Sequence, residues 1–366
     1  MYAPELLFAH LCNLSPKIGA ISLRALKKYF GSFERAWSAG DTAYSSCGLG
    51  DAAQESLKEI RARVSIEKEQ EKLTRLRLWL MDESHEHYPP LLREIAQPPA
   101  LLYGRGDSRA LINAPIVSVV GTRRPTRYGI EATRTLIRDC AASNIIIVSG
   151  LATGVDATAH EAALAGGLTT IAVLGSGIDE DSIFPSHNIG LARRIIAAHG
   201  AIISEFPPGT PGLKHHFPQR NRIVAGMASG VVVVEARERS GALITARIAI
   251  DENRDVFVVP GSIFSPTSVG PNLLLREGAS PVQSGRDILN ALGIEYGNAH
   301  EAPLATLDAE SQSILAYLSE PLSTDELALR AHIAMPLLIS RLSSLELKGL
   351  VMCTESGMYA RPTPMS

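Results

Sequence analysis

The residues best equipped for chemistry stand together at Lys214-His215-His216-Phe217-Pro218-Gln219-Arg220-Asn221-Arg222. Guanidinium groups grip phosphates in a bidentate fork, and an exposed phenylalanine offers a base a stacking face. The run leads into an apolar helix, Ile223-Val224-Ala225-Gly226-Met227, and the N–H groups at a helix start favour anions. Single-stranded nucleic acid is the ligand that uses all three features. The plainer alternative is a solvated basic loop with one buried ring, and the run alone does not separate the two.

The elements that must position this run begin at Ala114, where apolar stretches alternate with helical patterns. Strands are expected at Ile116 to Val120, Ile145 to Val148, Thr170 to Leu174, Ala201 to Ile203, Val231 to Val234 and Val256 to Val259. Helices are expected near Gly129 to Cys140, Val155 to Leu164, Ile189 to Ala198, Arg222 to Ala228 and Ala242 to Asn253. Unbroken β-branched runs mark strands buried on both faces, hence a parallel sheet covered by helices: an α/β, doubly wound, Rossmann-like domain. Such sheets bind ligands at the carboxyl ends of their strands. There the chain carries Gly121-Thr122-Arg123-Arg124, Ser149-Gly150-Leu151-Ala152-Thr153-Gly154, Gly175-Ser176-Gly177, Ser204-Glu205-Phe206-Pro207, Glu235 through Ser240-Gly241, and Pro260-Gly261-Ser262. The basic run, between the fourth and fifth strands, should hang over the same rim.

At 366 residues the chain exceeds one ordinary core, and 45% hydrophobic with 20% charged residues is a soluble globular composition. No apolar run approaches 18 residues and no leader pattern opens the chain, so a cytoplasmic protein with no membrane partner is expected. Net charge is −3, but Lys214 to Arg247 holds six Lys/Arg against two acids, whereas Glu301 to Ser366 holds four against eight. Any polyanion site belongs to the middle of the chain. Cys12, Cys47, Cys140 and Cys353 lack C-x-x-C spacing, so neither a metal site nor a disulfide framework is expected.

No cofactor is expected either. Gly175-Ser176-Gly177 lacks the third glycine of a dinucleotide fingerprint, and Asp179, Glu180 and Asp181 stand where a pyrophosphate would lie. An enzyme has some material: Asp156 and His160 four apart, and Glu205 and Glu235 after strands. A nucleoside monophosphate N-glycosidase of the lysine-decarboxylase-like fold is the competing function. Its Pro-Gly-Gly-x-Gly-Thr turn is not matched by Pro260-Gly261-Ser262-Ile263-Phe264, and Asp156 and His160 are expected to be structural, as a first-turn acid and its i,i+4 partner. No catalytic residue is assigned.

Residues 1–65 form short helices with glycine turns, resembling a helix-hairpin-helix pair or a SAM-like bundle. Residues 66–113, rich in proline, are expected to be an extended connector packed on the core, since proline at this density opposes a central strand. The Rossmann-like domain then spans 114–295.

With Val120-Gly121-Thr122-Arg123, Ser149 through Asp156 with His160, Thr170 through Gly177, Ser204 through Pro207, Phe217 through Ile223, Ser240 through Ala246 and Val259-Pro260-Gly261 in their order, the chain resembles the DNA processing protein A (DprA/Smf) family over nearly its whole length. The resemblance implies single-stranded DNA binding in a basic pocket of the Rossmann-like domain. It also implies a homodimer through that domain, and loading of the RecA recombinase onto DNA during natural transformation. Carried over to this chain, Arg123 grips a phosphate beside the N–H groups of Gly121 and Thr122. Lys214 and Arg220 add charge, and Phe217 stacks on a base. Asn221, Glu235, Ser240 and Thr245, with Gly241 beside them, bond base edges or orient Arg123 and Arg220. Arg222 is expected to serve the fold.

After a linker at 296–308, residues 309–366 show a winged-helix pattern. It comprises a helix around Ile314 to Leu318, a second opened by the capping sequence Ser323-Thr324-Asp325-Glu326, a third from Met335 to Lys348, and a closing hairpin. Its acidic balance suits a protein-contact or regulatory module better than a reader of duplex DNA.

Overall fold

A computed structural model describes residues 2–295, 309–318, 320–347, 350–353 and 358–360. The chain divides into two compact units, Met1–Gly297 and Asn298–Ser366.

In the first unit the described residues form one sheet from β1 (Trp79–Met81), β2 (Leu102–Gly106), β3 (Ile116–Val120), β4 (Ile146–Ser149), β5 (Thr169–Leu174), β6 (Ala201–Ser204), β7 (Gly230–Val233), β8 (Asp255–Val258) and β9 (Ser280–Pro281). The order is β1-β2-β6-β5-β4-β3-β7-β8-β9. Pairings from β6 through β9 are parallel, and β1 and β2 add antiparallel beyond β6. Every residue of β3, β4 and β7 is buried, which is why these strands show no polar alternation. Their two serines are satisfied internally: Ser118 Oγ donates to the Val224 carbonyl and Ser149 Oγ to that of Val119, each at 2.6 Å. The chain runs outward from β3 through β4 and β5 to β6, then returns to lay β7 on the other side of β3. The carboxyl ends of β3 and β7 therefore flank the topological switch point, where open α/β sheets leave a crevice.

Two expectations change. Residues 66–113 are not merely an extended connector, because they supply the helix Ile66–Arg75 and the strands β1 and β2. β2 lies inside the sheet between β1 and β6, and it begins only after Pro98 and Pro99, so no ladder N–H is lost to proline. Its Tyr103 hydroxyl meets His10 Nδ1 at 3.0 Å and accepts from Asn13 Nδ2 at 3.2 Å. The amino-terminal helices thereby share one core with the sheet, Leu11 and Leu26 packing in the same cluster as Ala172 and Ile202. Second, the helix expected from Arg222 begins earlier and spans His216–Met227. From His216 onward the basic run is the helix's own first turns, with Lys214 and His215 on the turn before it, and Pro218 is tolerated there because a first-turn N–H has no intrahelical acceptor.

In the second unit the helices Ala309–Tyr317, Thr324–Ala331 and Met335–Leu347 enclose Ile314, Leu318, Leu327, Leu338 and Leu342. Ser323 and Glu326 form the capping box that the sequence announces. β10 (Met352–Cys353) pairs antiparallel with β11 (Tyr359–Ala360) as a small wing. Among the described residues no helix is long and apolar enough to cross a membrane.

Candidate nucleic-acid interface

A cavity of about 300 Å³ opens at the switch point. The turn after β3 brings Gly121, Thr122 and Arg123 to it, and the loop after β7 brings Arg237 and Arg239, followed by Ser240, Gly241 and Thr245 from the next helix start. The helix His216–Met227 contributes Phe217, Arg220 and Asn221, and Asp156 joins from beside the β4 loop. Arg123, Arg237 and Arg239 are exposed. Among the described residues none of them forms an ion pair, nor does the exposed Lys214. Like charges crowded at one opening, with the buried Asp156 as the one acid of the lining, raise a positive field there and attract anions.

Phe217 gives that field an apolar wall. The Arg123 guanidinium carbon lies 5.4 Å from the centre of its ring, within cation–π range. Phe184 packs against the ring at 5.6 Å between centroids. Gly175 seats it from below: a Cβ there would come within 2.8 Å of Phe217 Cδ1.

Arg220 behaves differently from the other three arginines. It is only 5% exposed, and its Nη1 donates to the Gly150 carbonyl at 2.6 Å and to the Val173 carbonyl, while Nε donates to Asn221 Oδ1 at 3.2 Å. Burial pulls its guanidinium down to about 10, with nearby Asp156 opposing the shift, so it stays charged at neutral pH. Asp156 accepts from the N–H groups of Gly150 at 3.1 Å and Ala152 at 3.4 Å. Burial raises its carboxyl above the ordinary value, against the field of Arg220 and those two bonds. The Gly150 peptide is thus held from both sides, by Arg220 at its carbonyl and Asp156 at its N–H. No side chain fits there, since a Cβ on Gly150 would lie 2.4 Å from the Arg220 guanidinium nitrogens. Arg220 is a floor beam that ties the helix to the ends of β4 and β5.

Sequence comparison then fixes the family. A family model described as DNA recombination-mediator protein A matches residues 79–293, and a DprA winged helix domain matches residues 298–357. The chain belongs to the DNA recombination-mediator protein A (DprA/Smf) family. It is 36% identical to the Smf protein of Escherichia coli over 77% of this chain and 79% of that protein. It is 41% identical to the Bacillus subtilis DNA processing protein DprA over 57% of this chain and 69% of that one. Among solved structures it is similar to DprA from Streptococcus pneumoniae, with TM-score 0.66, 33% identity, and 79% and 98% of the two chains covered. DprA from Helicobacter pylori, whose structure is described as giving insight into a unique single-stranded DNA binding mode, matches with TM-score 0.53 and 32% identity over 59% and 96% of the chains.

Of the site residues expected for a DprA/Smf protein, Gly121, Thr122, Arg123, Phe217, Arg220, Asn221, Ser240, Gly241 and Thr245 line the cavity, and Lys214 sits outside its lining on the exposed turn before the helix. Asn221 bonds Arg220, one of the two roles expected of it, and Thr122, Ser240, Thr245 and Glu235 make bonds within the fold. The Thr122 N–H donates to the Glu235 carbonyl at 2.7 Å and is spent within the fold. Asn221 bridges Arg220 to the Gly241 carbonyl, at 3.3 Å from Nδ2. Ser240 caps its helix by accepting from the Ala242 N–H, and Thr245 Oγ1 donates to the Gly241 carbonyl. Glu235 lies outside this cavity, 2% exposed, and accepts from the Thr126 N–H and from the hydroxyls of Thr126 and Thr267 at 2.7 to 2.8 Å. It organises two loops and is not aimed at Arg123 or Arg220. Arg222 serves the fold, donating from Nη2 to both Glu205 oxygens at 2.6 and 2.7 Å. His216 is buried against Phe206, and burial lowers its imidazole below the ordinary value, so it adds no charge at neutral pH.

Arg237 and Arg239 lie in the basic stretch from Lys214 to Arg247 and join the cavity lining, although no motif of the DprA/Smf resemblance includes them. Their signal was positional: two arginines one residue apart, at the end of a strand beside the switch point. The candidate catalytic groups are engaged structurally, and the family is one of recombination mediators, not catalytic enzymes. Asp156 and Glu235 are bonded as described, and His160 is fully buried with Nδ1 2.7 Å from Thr170 Oγ1. Because that hydroxyl donates to the Ile147 carbonyl at 2.8 Å, it accepts from His160. His160 thus bonds across to β5 instead of pairing with Asp156.

Proposed function

We propose that this chain binds single-stranded DNA at the switch-point cavity and acts as a recombination mediator that loads the RecA recombinase onto incoming DNA in natural transformation. In this role it works as a cytoplasmic homodimer through the Rossmann-like domain, with the acidic winged-helix unit as a protein-contact module. The observation that carries DNA binding is the set of three exposed, unpaired guanidinium groups around one aromatic ring at the switch point. Arg123, Arg237 and Arg239 take phosphates, Lys214 adds a fourth charge from the turn, and Phe217 offers a base its ring. Arg220 contributes charge from beneath rather than a fork to the strand. Family membership supports the mediator role, and the Helicobacter pylori relative supports single-stranded DNA as the ligand.

Titration with an oligo-dT strand at increasing salt tests this. Four neutralised phosphates at a slope of about −0.7 each weaken binding about 50-fold between 50 and 200 mM salt. Arg123→Ala should lower affinity about tenfold and flatten the slope by about 0.7, with a melting temperature changed by no more than about 2 °C, because an exposed side chain with no ion pair and one exposed cation–π contact contributes little to folding. A flat salt response in the unmodified protein refutes the assignment.

A further inference from the structure

Beside the arginine-lined cavity lies a second one, of about 500 Å³, with a different chemistry. It is lined by Thr126, Tyr128, Pro260, Ser262, Ser265 and Ser268, with Gly261, and Glu235 on its floor. No lysine or arginine lines it. Its single charged group is that 2% exposed carboxylate, which is already engaged by Thr126 and Thr267. A phosphate would meet a buried negative charge there and no cation, so the moiety that fits is uncharged and rich in hydrogen-bonding edges.

The loop that supplies Ser262 and Ser265 to this lining holds the more unusual feature. Ile263 and Phe264 are 81% and 89% exposed, adjacent in sequence and flanked by the lining residues Ser262 and Ser265. They occupy the two central positions of a turn closed by the Ser265 N–H on the Ser262 carbonyl at 3.0 Å, and Ser262 Oγ accepts from the Phe264 N–H at 3.2 Å. The loop is fixed further on. Ser265 Oγ lies 2.9 Å from Thr267 Oγ1, the Thr267 carbonyl accepts from the Ala236 N–H at 2.7 Å, and Asn272 Nδ2 donates to the Gly261 carbonyl at 3.2 Å. A phenylalanine held almost bare on a turn this well bonded is presented, not left over.

The two cavities share their walls. The segment after β3 lines the first with Thr122 and Arg123 and the second with Thr126 and Tyr128, and the segment after β7 lines them with Arg237 and Glu235 respectively. Three residues span at most about 11 Å, and stacked nucleotides advance about 3.4 Å each. A strand held by a phosphate at Arg123 therefore reaches the second cavity within about three nucleotides. We propose that this hydroxyl-lined cavity is a second nucleotide subsite, which takes a nucleobase of the same strand that Arg123 holds, with Phe264 as its stacking platform. The subsite rests on the single-strand reading of the first cavity. It makes the interface bipartite: charge recognition at the arginines, neutral base recognition at the serines and Phe264.

The test compares Phe264→Ala and Arg123→Ala in the full chain, using dT strands of two and of eight nucleotides at several salt concentrations. Removing one base–aromatic stack should weaken binding of the eight-nucleotide strand about 5- to 150-fold. The salt slope and the affinity for the two-nucleotide strand should stay as in the unmodified protein, because no charge is lost. A strand carrying 5-iododeoxyuridine should cross-link to the peptide that contains Phe264 on irradiation. If Phe264→Ala leaves eight-nucleotide binding unchanged while Arg123→Ala weakens it, the subsite is wrong and the first cavity stands. If Phe264→Ala changes the protein's mass in solution and not its affinity for DNA, the turn is a protein contact and the subsite is also wrong. If the unmodified protein binds neither strand, both assignments fall together.

Discussion

Replacing Arg220 with alanine should damage the fold more than the grip on DNA. The substitution removes the donors that satisfy the buried carbonyls of Gly150 and Val173 and the side chain of Asn221. A buried acceptor left unsatisfied costs about 1–3 kcal/mol. It also strips Asp156 of a nearby positive charge, whose field favours the ionised carboxylate. These losses overlap, because Asp156 can take up a proton and water can enter the space, so the net expectation is about 3–5 kcal/mol. For a unit of this size, at about 2–4 °C per kcal/mol, the melting temperature falls by about 6 to 20 °C. Arg220→Lys should fall about half as far, since an ammonium keeps the charge but cannot reproduce the planar fork. The assay is calorimetric melting of the full chain, paired with oligo-dT binding at a temperature where the variant remains folded. A melting temperature within about 2 °C of the unmodified protein, together with lost DNA binding, would refute the argument and return Arg220 to the role of a direct phosphate contact.

Other predictions follow from the same packing. Gly175→Ala places a methyl group where Phe217 Cδ1 stands 2.8 Å away, so the ring must tilt out of its seat; oligo-dT affinity should drop several-fold, and unchanged affinity would remove Phe217 from the interface. Burial pushes the His160 imidazole down to about 3, and the Arg220 charge acts in the same sense. Between pH 6.5 and 3 the unfolded chain binds a proton there that the folded chain refuses. This residue therefore costs nothing above pH 6.5 and removes about 1.4 kcal/mol of stability per pH unit below about pH 6. His10, lowered by burial, adds to that loss, whereas the raised carboxyl of Asp156 works against it. Urea midpoints at pH 7 and pH 5 should fall less in His160→Gln than in the unmodified protein, and equal declines would refute the assignment.

Much of the architecture was legible because local pattern reports burial. The β-branched runs of β3, β4 and β7 could belong only to strands covered on both faces, and Ser323 with Glu326 announced a helix start that forms a capping box. The proline-rich segment misled because prolines forbid only the positions they occupy, and β2 begins just past them. The loops of the rim could also be identified, since strand order along the chain brings carboxyl ends to one edge of a parallel sheet.

Partnership was beyond the reach of the sequence. Arg220 and Arg123 are the same residue type, each near a glycine and a strand end, yet one turns inward to carbonyls 47 and 70 residues away while the other stays exposed over Phe217. Glu235 follows a strand as a catalytic acid would, but Thr126 and Thr267 converge on it from distant loops. The sequence by itself determined the parallel sheet, its ligand-binding rim and the basic, aromatic character of the helix start, because periodicity and residue type are local quantities. Only the tertiary structure decided which cations remain unpaired to meet a ligand, because a charge is free or spent according to neighbours that chain folding brings within hydrogen-bond reach.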